Sequence, residues 1–172
     1  MALKAIGSLA PWGGPVLRRE ILANSITVVE LDSLKLSSGF AALGTAGALV
    51  FGHAVALSNR QGTGLETTGA AGAEIGSYVG TFTTASDNQT VGKVKAECDI
   101  SKFSLYSCEL DAAIGTTTGS NLSGYKIDLA DEDTLAENTA ATTTCQYNLW
   151  GVDPNDSTKA VANIYESQVF GV

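Results

Sequence analysis

Histidine occurs once among the 172 residues, proline three times and cysteine three times. A single histidine, His53 in Gly52-His53-Ala54, gives a Ser-His-Asp relay or an imidazole-type metal centre only one place to form. No Gly-x-Ser-x-Gly elbow accompanies it, so a histidine packed on a sheet or turned to solvent is the expectation. Cys98, Cys108 and Cys145 are too few and too scattered for a disulfide framework or a CxxC metal site, and reduced thiols are expected. Charged residues make up only 16%, with 10 basic against 18 acidic, and the basic ones form no stripe wide enough for a phosphate backbone. A net charge of −8 would repel nucleic acid, which is excluded as a partner.

Long hydrophobic runs are also missing. Residues 40–57 come nearest, but Gly44, Gly47, Gly52 and His53 interrupt them and their apolar residues are mostly alanine, so no membrane span is expected. Residues 1–15 lack the basic and continuous apolar regions of a secretory signal. The run GTTTGS at 115–120 has no Gly-Lys-Ser/Thr ending and no helix-forming sequence after it, so it meets neither phosphate-binding fingerprint. No cofactor is expected, and no enzymatic activity.

What the chain does have is 44% hydrophobic content, 19 glycines, and Ala, Ser and Thr throughout its middle. That profile suits sheets joined by small-residue turns. The expected fold is mainly β: a compact antiparallel barrel or sandwich, with an irregular N-terminal arm and at most one or two short helices. The arm is residues 1–24 and the β-rich domain residues 25–172. From Ser25 onward Ile26, Val28, Val29 and Leu31 read as a strand whose parity slips before Leu34, implying a bulge or bend near Asp32 and Ser33. Val94, Ala96, Cys98 and Ile100 alternate with polar residues, as do Tyr106, Cys108 and Leu110. With residues 101–104 as the turn, this predicts a hairpin in which Cys98 faces Cys108 and Ile100 faces Tyr106. Tyr125, Ile127 and Leu129 read as another strand. A last hairpin follows, with Cys145, Tyr147 and Leu149 opposite residues 160–165 around the turn at 152–156.

Two clusters are candidates for binding. Asp128, Asp131, Glu132, Asp133 and Glu137 could supply hard oxygen ligands to calcium, but they lack EF-hand spacing, and an exposed, metal-free helix N-terminus over 131–137 is favoured. The arm is the better candidate. Leu3, Ile6, Leu9, Trp12, Val16 and Leu17 are large and apolar on a backbone kept irregular by Pro11, Gly13, Gly14 and Pro15, followed by Arg18 and Arg19. With Lys4, Arg18 and Arg19 against Glu20, residues 1–24 carry +2, which leaves −10 for the remainder. A basic, apolar arm on an acidic body is expected to lie on a partner, with Trp12 as anchor and the arginines paired to the partner's acids. Folding back on its own domain is the alternative.

The blocks IGTTTGS at 114–120, GYKIDLADEDTL at 124–135 and QYNLWGVDP at 146–154 resemble the small virion proteins encoded beside the major capsid protein in tailed phages, the head decoration or cement proteins. The likeness covers roughly 78–172. It implies a structural protein on the capsid exterior, assembled in the host cytoplasm, with the major capsid protein as partner and a homo-oligomer, a trimer favoured, as the bound form. A tail-fibre or receptor-binding β-module shares the same composition and is the alternative function.

Overall fold

The computed structural model of the chain describes residues 3–8, 16–59, 81–92, 94–116, 122–137 and 145–165. Within these, thirteen strands and one helix of four residues are arranged around two cores. The fold is mainly β, as its small-residue, glycine-rich composition implies.

One sheet has the order β2 (Leu17–Ile21), β8 (Val94–Asp99), β6 (Gly52–Asn59), β4 (Ser33–Ser37) and β5 (Phe40–Leu43), all neighbours antiparallel. It curls until its ends meet. Leu22 bridges Ala41, and the Ala23 N–H donates to the Ala41 carbonyl at 2.8 Å, so the sheet is nearly a closed barrel. Closure removes most of an exposed edge. Leu22, Leu34, Leu57, Val94, Ala96 and Cys98 fill its interior, the last three being the inward parity read from the sequence. Each such leucine contributes about 1.5–3 kcal/mol by its burial. The mouth is covered by the ribbon of β3 (Thr27–Val29) with β7 (Thr81–Thr83) and by α1 (Asn88–Val91). Asn88 fastens this cover: its buried amide donates to the carbonyls of Leu22 and Val94 and accepts from the Val94 N–H.

The second sheet runs β1 (Leu3–Ser8), β9 (Ser104–Leu110), β13 (Asp156–Ile164), β12 (Tyr147–Asp153) and β10 (Lys126–Ile127), with the short β11 (Thr134–Leu135) parallel to the far end of β9. The β12–β13 hairpin is the one expected around 152–156. Its core holds Tyr106, Tyr147, Leu122, Leu129, Leu135 and Leu149.

Three expectations are corrected. The strands at 94–99 and 104–110 exist with the predicted parity but do not pair. β8 belongs to the barrel-like sheet and β9 to the open one, so Cys98 and Cys108 lie in different cores, both as free thiols. Asp99 explains the crossing. Its buried carboxylate accepts from the Ser101 N–H at 2.9 Å, the Ser104 hydroxyl at 2.6 Å and the Tyr106 hydroxyl at 2.7 Å, which turns the chain out of one sheet and into the other. Residues 131–137 form no helix. Their backbone groups bond across to other segments, Ala136 N–H to Asp128 O and Asp111 N–H to Leu135 O, because Leu129 and Leu135 are drawn into the core as a bridged pair. Glu137 is consequently buried, and its Oε1 accepts from the Gly115 N–H, whereas exposure was expected. The slip near Asp32 is a turn through Glu30 and Leu31, with Leu31 at φ +66°.

The third correction concerns the arm. Leu3–Ser8 and Leu17–Ile21 are extended, but each is an edge strand of its own domain, β1 along residues 104–108 of β9 and β2 along residues 95–99 of β8. Backbone hydrogen bonding to a finished sheet supplies the regularity that Pro and Gly deny the arm locally.

Candidate functional site

Two places concentrate chemistry: the seam between the cores and the surface of β2. The seam is built by Ser33, His53, Asp99, Tyr106 and Tyr147, all buried. His53 Nδ1 lies 3.1 Å from the Leu31 carbonyl, which can only accept, so Nδ1 carries the proton of the neutral ring. Nε2, 3.2 Å from the Tyr147 hydroxyl, then accepts from it, and the Tyr147 oxygen accepts from Ser33 Oγ at 2.9 Å. The Tyr106 ring packs on the imidazole with centroids 4.0 Å apart and donates its own hydroxyl to Asp99.

Burial lowers the His53 pKa to about 4 and raises both tyrosines, so the relay is neutral across the ordinary pH range. His53 is fully enclosed, and a carbonyl and a phenol are its hydrogen-bond partners. Such a chain orients and ties; it offers no substrate a path to a base. The thiols are quiet for the same reason, burial pushing Cys98 up to about 12 and Cys108 higher still.

Further ties cross the seam. Buried Gln146 receives the Leu129 N–H on its oxygen and donates its amide to the carbonyls of Thr45 and Ala48. Ser33 N–H donates to the Glu132 carbonyl at 2.7 Å, which draws the acidic segment against Asp32. Asp32 is buried, takes the Val29 N–H at 2.7 Å, and has its pKa raised to about 7 by burial and then by Glu132, Asp133 and Asp131. Among the described residues no three His, Cys, Asp or Glu side chains are placed to hold a metal ion.

Of the arm residues, Leu9 and Trp12 lie outside the described residues, and Leu3 and Ile6 are placed by backbone alone, Ile6 at an irregularity of β1. Val16, 54% exposed, and Leu17, 53% exposed, stand side by side where the chain enters β2; the Val16 carbonyl accepts from the Ile100 N–H. Arg18 and Arg19 do not wait for a partner's acids. Arg18 Nε bonds Glu20 at 2.6 Å and its guanidinium lies 5.3 Å from the Phe51 ring, while Arg19 pairs with Glu97 on the adjacent strand. Arg18 thus pairs within β2 and Arg19 across to β8, and beside them Val16 and Leu17 are an exposed aliphatic feature.

No family model, curated protein or solved structure matches the chain. Among the described residues no helix is long and apolar enough to cross a membrane.

Proposed function

We propose that this is a structural virion protein that binds the exterior of a phage capsid, with the major capsid protein as partner, and bridges neighbouring capsomers or copies of itself, a trimer being the favoured bound form. The observation that carries the reading is the pair Val16 and Leu17, two large aliphatic side chains more than half exposed where the chain enters β2. Adjacent aliphatics held in water beside a sheet support a surface that is covered in use. On a lattice each contact needs only modest affinity, because many copies and linked sites act together. The sealed, neutral seam is consistent with a protein whose task is to hold a shape. The tail-fibre or receptor-binding reading predicts a handful of copies per particle, where a decoration protein occurs in hundreds.

Deleting residues 1–19 does not test this cleanly, since it strips β1 and most of β2 from two sheets. The double substitution Val16→Ser, Leu17→Ser leaves the backbone pairing intact. It is expected to keep the circular dichroism spectrum and melting temperature of the parent. Co-sedimentation with undecorated expanded heads is expected to weaken by tenfold or more, in line with about 1.5–3 kcal/mol for each large apolar side chain buried. Undiminished co-sedimentation would contradict the reading.

A further inference from the structure

The acidic segment after β10 meets the barrel-like half beside a buried carboxylate. Residues 131–133 form the tip of a turn whose base is fixed in the other half: the Ala130 N–H donates to the Thr134 carbonyl at 2.8 Å, Leu129 bridges Leu135, and Thr134 pairs with Glu109 of β9. The tip is braced within itself, the Asp133 N–H donating to Asp131 Oδ1 at 3.2 Å and the Thr134 hydroxyl to Asp133 Oδ1 at 2.9 Å. Among the described residues one hydrogen bond ties this tip to the barrel-like half, from the Ser33 N–H to the Glu132 carbonyl at 2.7 Å. The residue before Ser33 is Asp32, 2% exposed and unable to swing away. Its N–H donates to the Val29 carbonyl, its carbonyl accepts from the Ala54 N–H at 3.0 Å, and its Oδ2 accepts from the Val29 N–H at 2.7 Å.

We propose that this tip is a pH-operated latch between the two halves, docked on Ser33 while Asp32 is protonated and released once Asp32 is a carboxylate. The geometry decides which side yields. An ionised Asp32 sits dehydrated beside Asp131, Glu132 and Asp133; its own backbone and side chain are pinned at three points, whereas the tip is held by one. Burial, and then those three acids, raise the Asp32 pKa to about 7, so the charge appears within the ordinary pH range. Among the described residues no cation offsets the acids. Of the neighbouring elements β6 brings His53, turned to the Leu31 carbonyl, β4 brings Lys35, whose ammonium donates to Thr45, and the preceding turn brings only another acid, Glu30. Release lets water reach Asp32 and leaves the Leu129–Leu135 base in place, so both cores stay packed while one tie across the seam is lost. Because the docked form binds one proton more tightly, docking weakens by up to about tenfold per pH unit as pH rises toward 7 and no further above it. The inference does not depend on capsid binding.

Amide hydrogen exchange of the full chain, followed residue by residue by NMR from about pH 5 to about pH 8.5 and corrected for the intrinsic pH dependence of exchange, tests it. Protection of the Ser33 amide is expected to fall by up to about tenfold per pH unit toward pH 7 and then to level off. The amides of Val94 in one half and Leu149 in the other, bonded to Asn88 and to the Tyr125 carbonyl, should not follow it. In Asp32→Asn the Ser33 protection should stay flat over the same range. Asp131→Asn, Glu132→Gln and Asp133→Asn together remove the repulsion and leave the burial, so the levelling off should move to lower pH. Ser33 protection that ignores pH in the parent, a fall shared equally by Val94 and Leu149, the same fall in Asp32→Asn, or an unmoved profile in the triple variant would each overturn the latch.

Discussion

The two halves of the molecule solve the same packing problem with different residues. The barrel-like half closes on itself through backbone pairing and fills its interior mainly with aliphatics and alanine, with Phe51 buried in that cluster and Phe82 packed against it. The other sheet shows no such closure among the described residues. It buries two tyrosines whose hydroxyls must find partners, and finds them at the seam, Tyr147 on Ser33 and His53 of the barrel-like half, Tyr106 on Asp99. A closed sheet is sealed by its own main chain, whereas an open one borrows polar partners from its neighbour. The seam therefore makes one body of two cores.

That comparison can be broken by substitutions whose effects should fall in a definite order. The largest is expected from Leu34→Ala in one core or Leu149→Ala in the other, about 2–5 kcal/mol each. Each should shift a single unfolding transition, followed both by circular dichroism and by tryptophan emission. Separate transitions would mean the halves fold independently. Next comes Gly52→Ala, where an added Cβ would meet the Asp99 carbonyl oxygen at 2.5 Å and Ile100 Cγ2 at 3.0 Å; about 1–3 kcal/mol of denaturant stability should be lost.

The pH dependence of the seam follows from two opposed shifts. His53, lowered from 6.5 to about 4, contributes stability that is present above pH 6.5 and lost as pH falls toward 4. Asp32, raised from 3.8 to about 7, contributes stability that is present below pH 4 and lost as pH rises toward 7. Between pH 4 and 6.5 the two slopes cancel in large part. Asp32→Asn keeps an acceptor for the Val29 N–H and removes one slope, so stability in urea should rise with pH across that window by about 3 kcal/mol more than in the parent. Parallel curves would show that Asp32 does not hold its proton. Tyr147→Phe should cost less, about 1–2 kcal/mol, by leaving Ser33 and His53 short of a partner. The smallest effect belongs to Arg19→Ala, whose half-exposed ion pair should change the melting temperature hardly at all.

How much of this was legible depended on whether the cause was local. The alternation at 94–110 announced two strands and the inward parity of Cys98 and Cys108, because parity is written in the strand itself. Their partners were not legible. Asp99 looks like any outward acid at the end of an alternating run, and only its three donors reveal the crossing. The hairpin of β12 and β13 was readable because its turn, Asp153-Pro154-Asn155-Asp156, is local as well. The acids at 131–137 carried helix-start chemistry, and burial of Leu129 and Leu135 outweighed it. Nothing near His53 hints at Tyr147, 94 residues away. Val16 and Leu17 were singled out as apolar in an unsuitable setting, and they are exposed; the intrachain partners of Arg18 and Arg19 were missed because β8 is distant in sequence.

The most direct test of the functional account is a cryo-electron microscopy map of the decorated particle at side-chain resolution. The account predicts hundreds of copies on the capsid exterior, with Val16 and Leu17 buried against the capsid protein or a neighbouring copy and the barrel-like half forming the contact. A map in which those two side chains face solvent on every bound copy would contradict it.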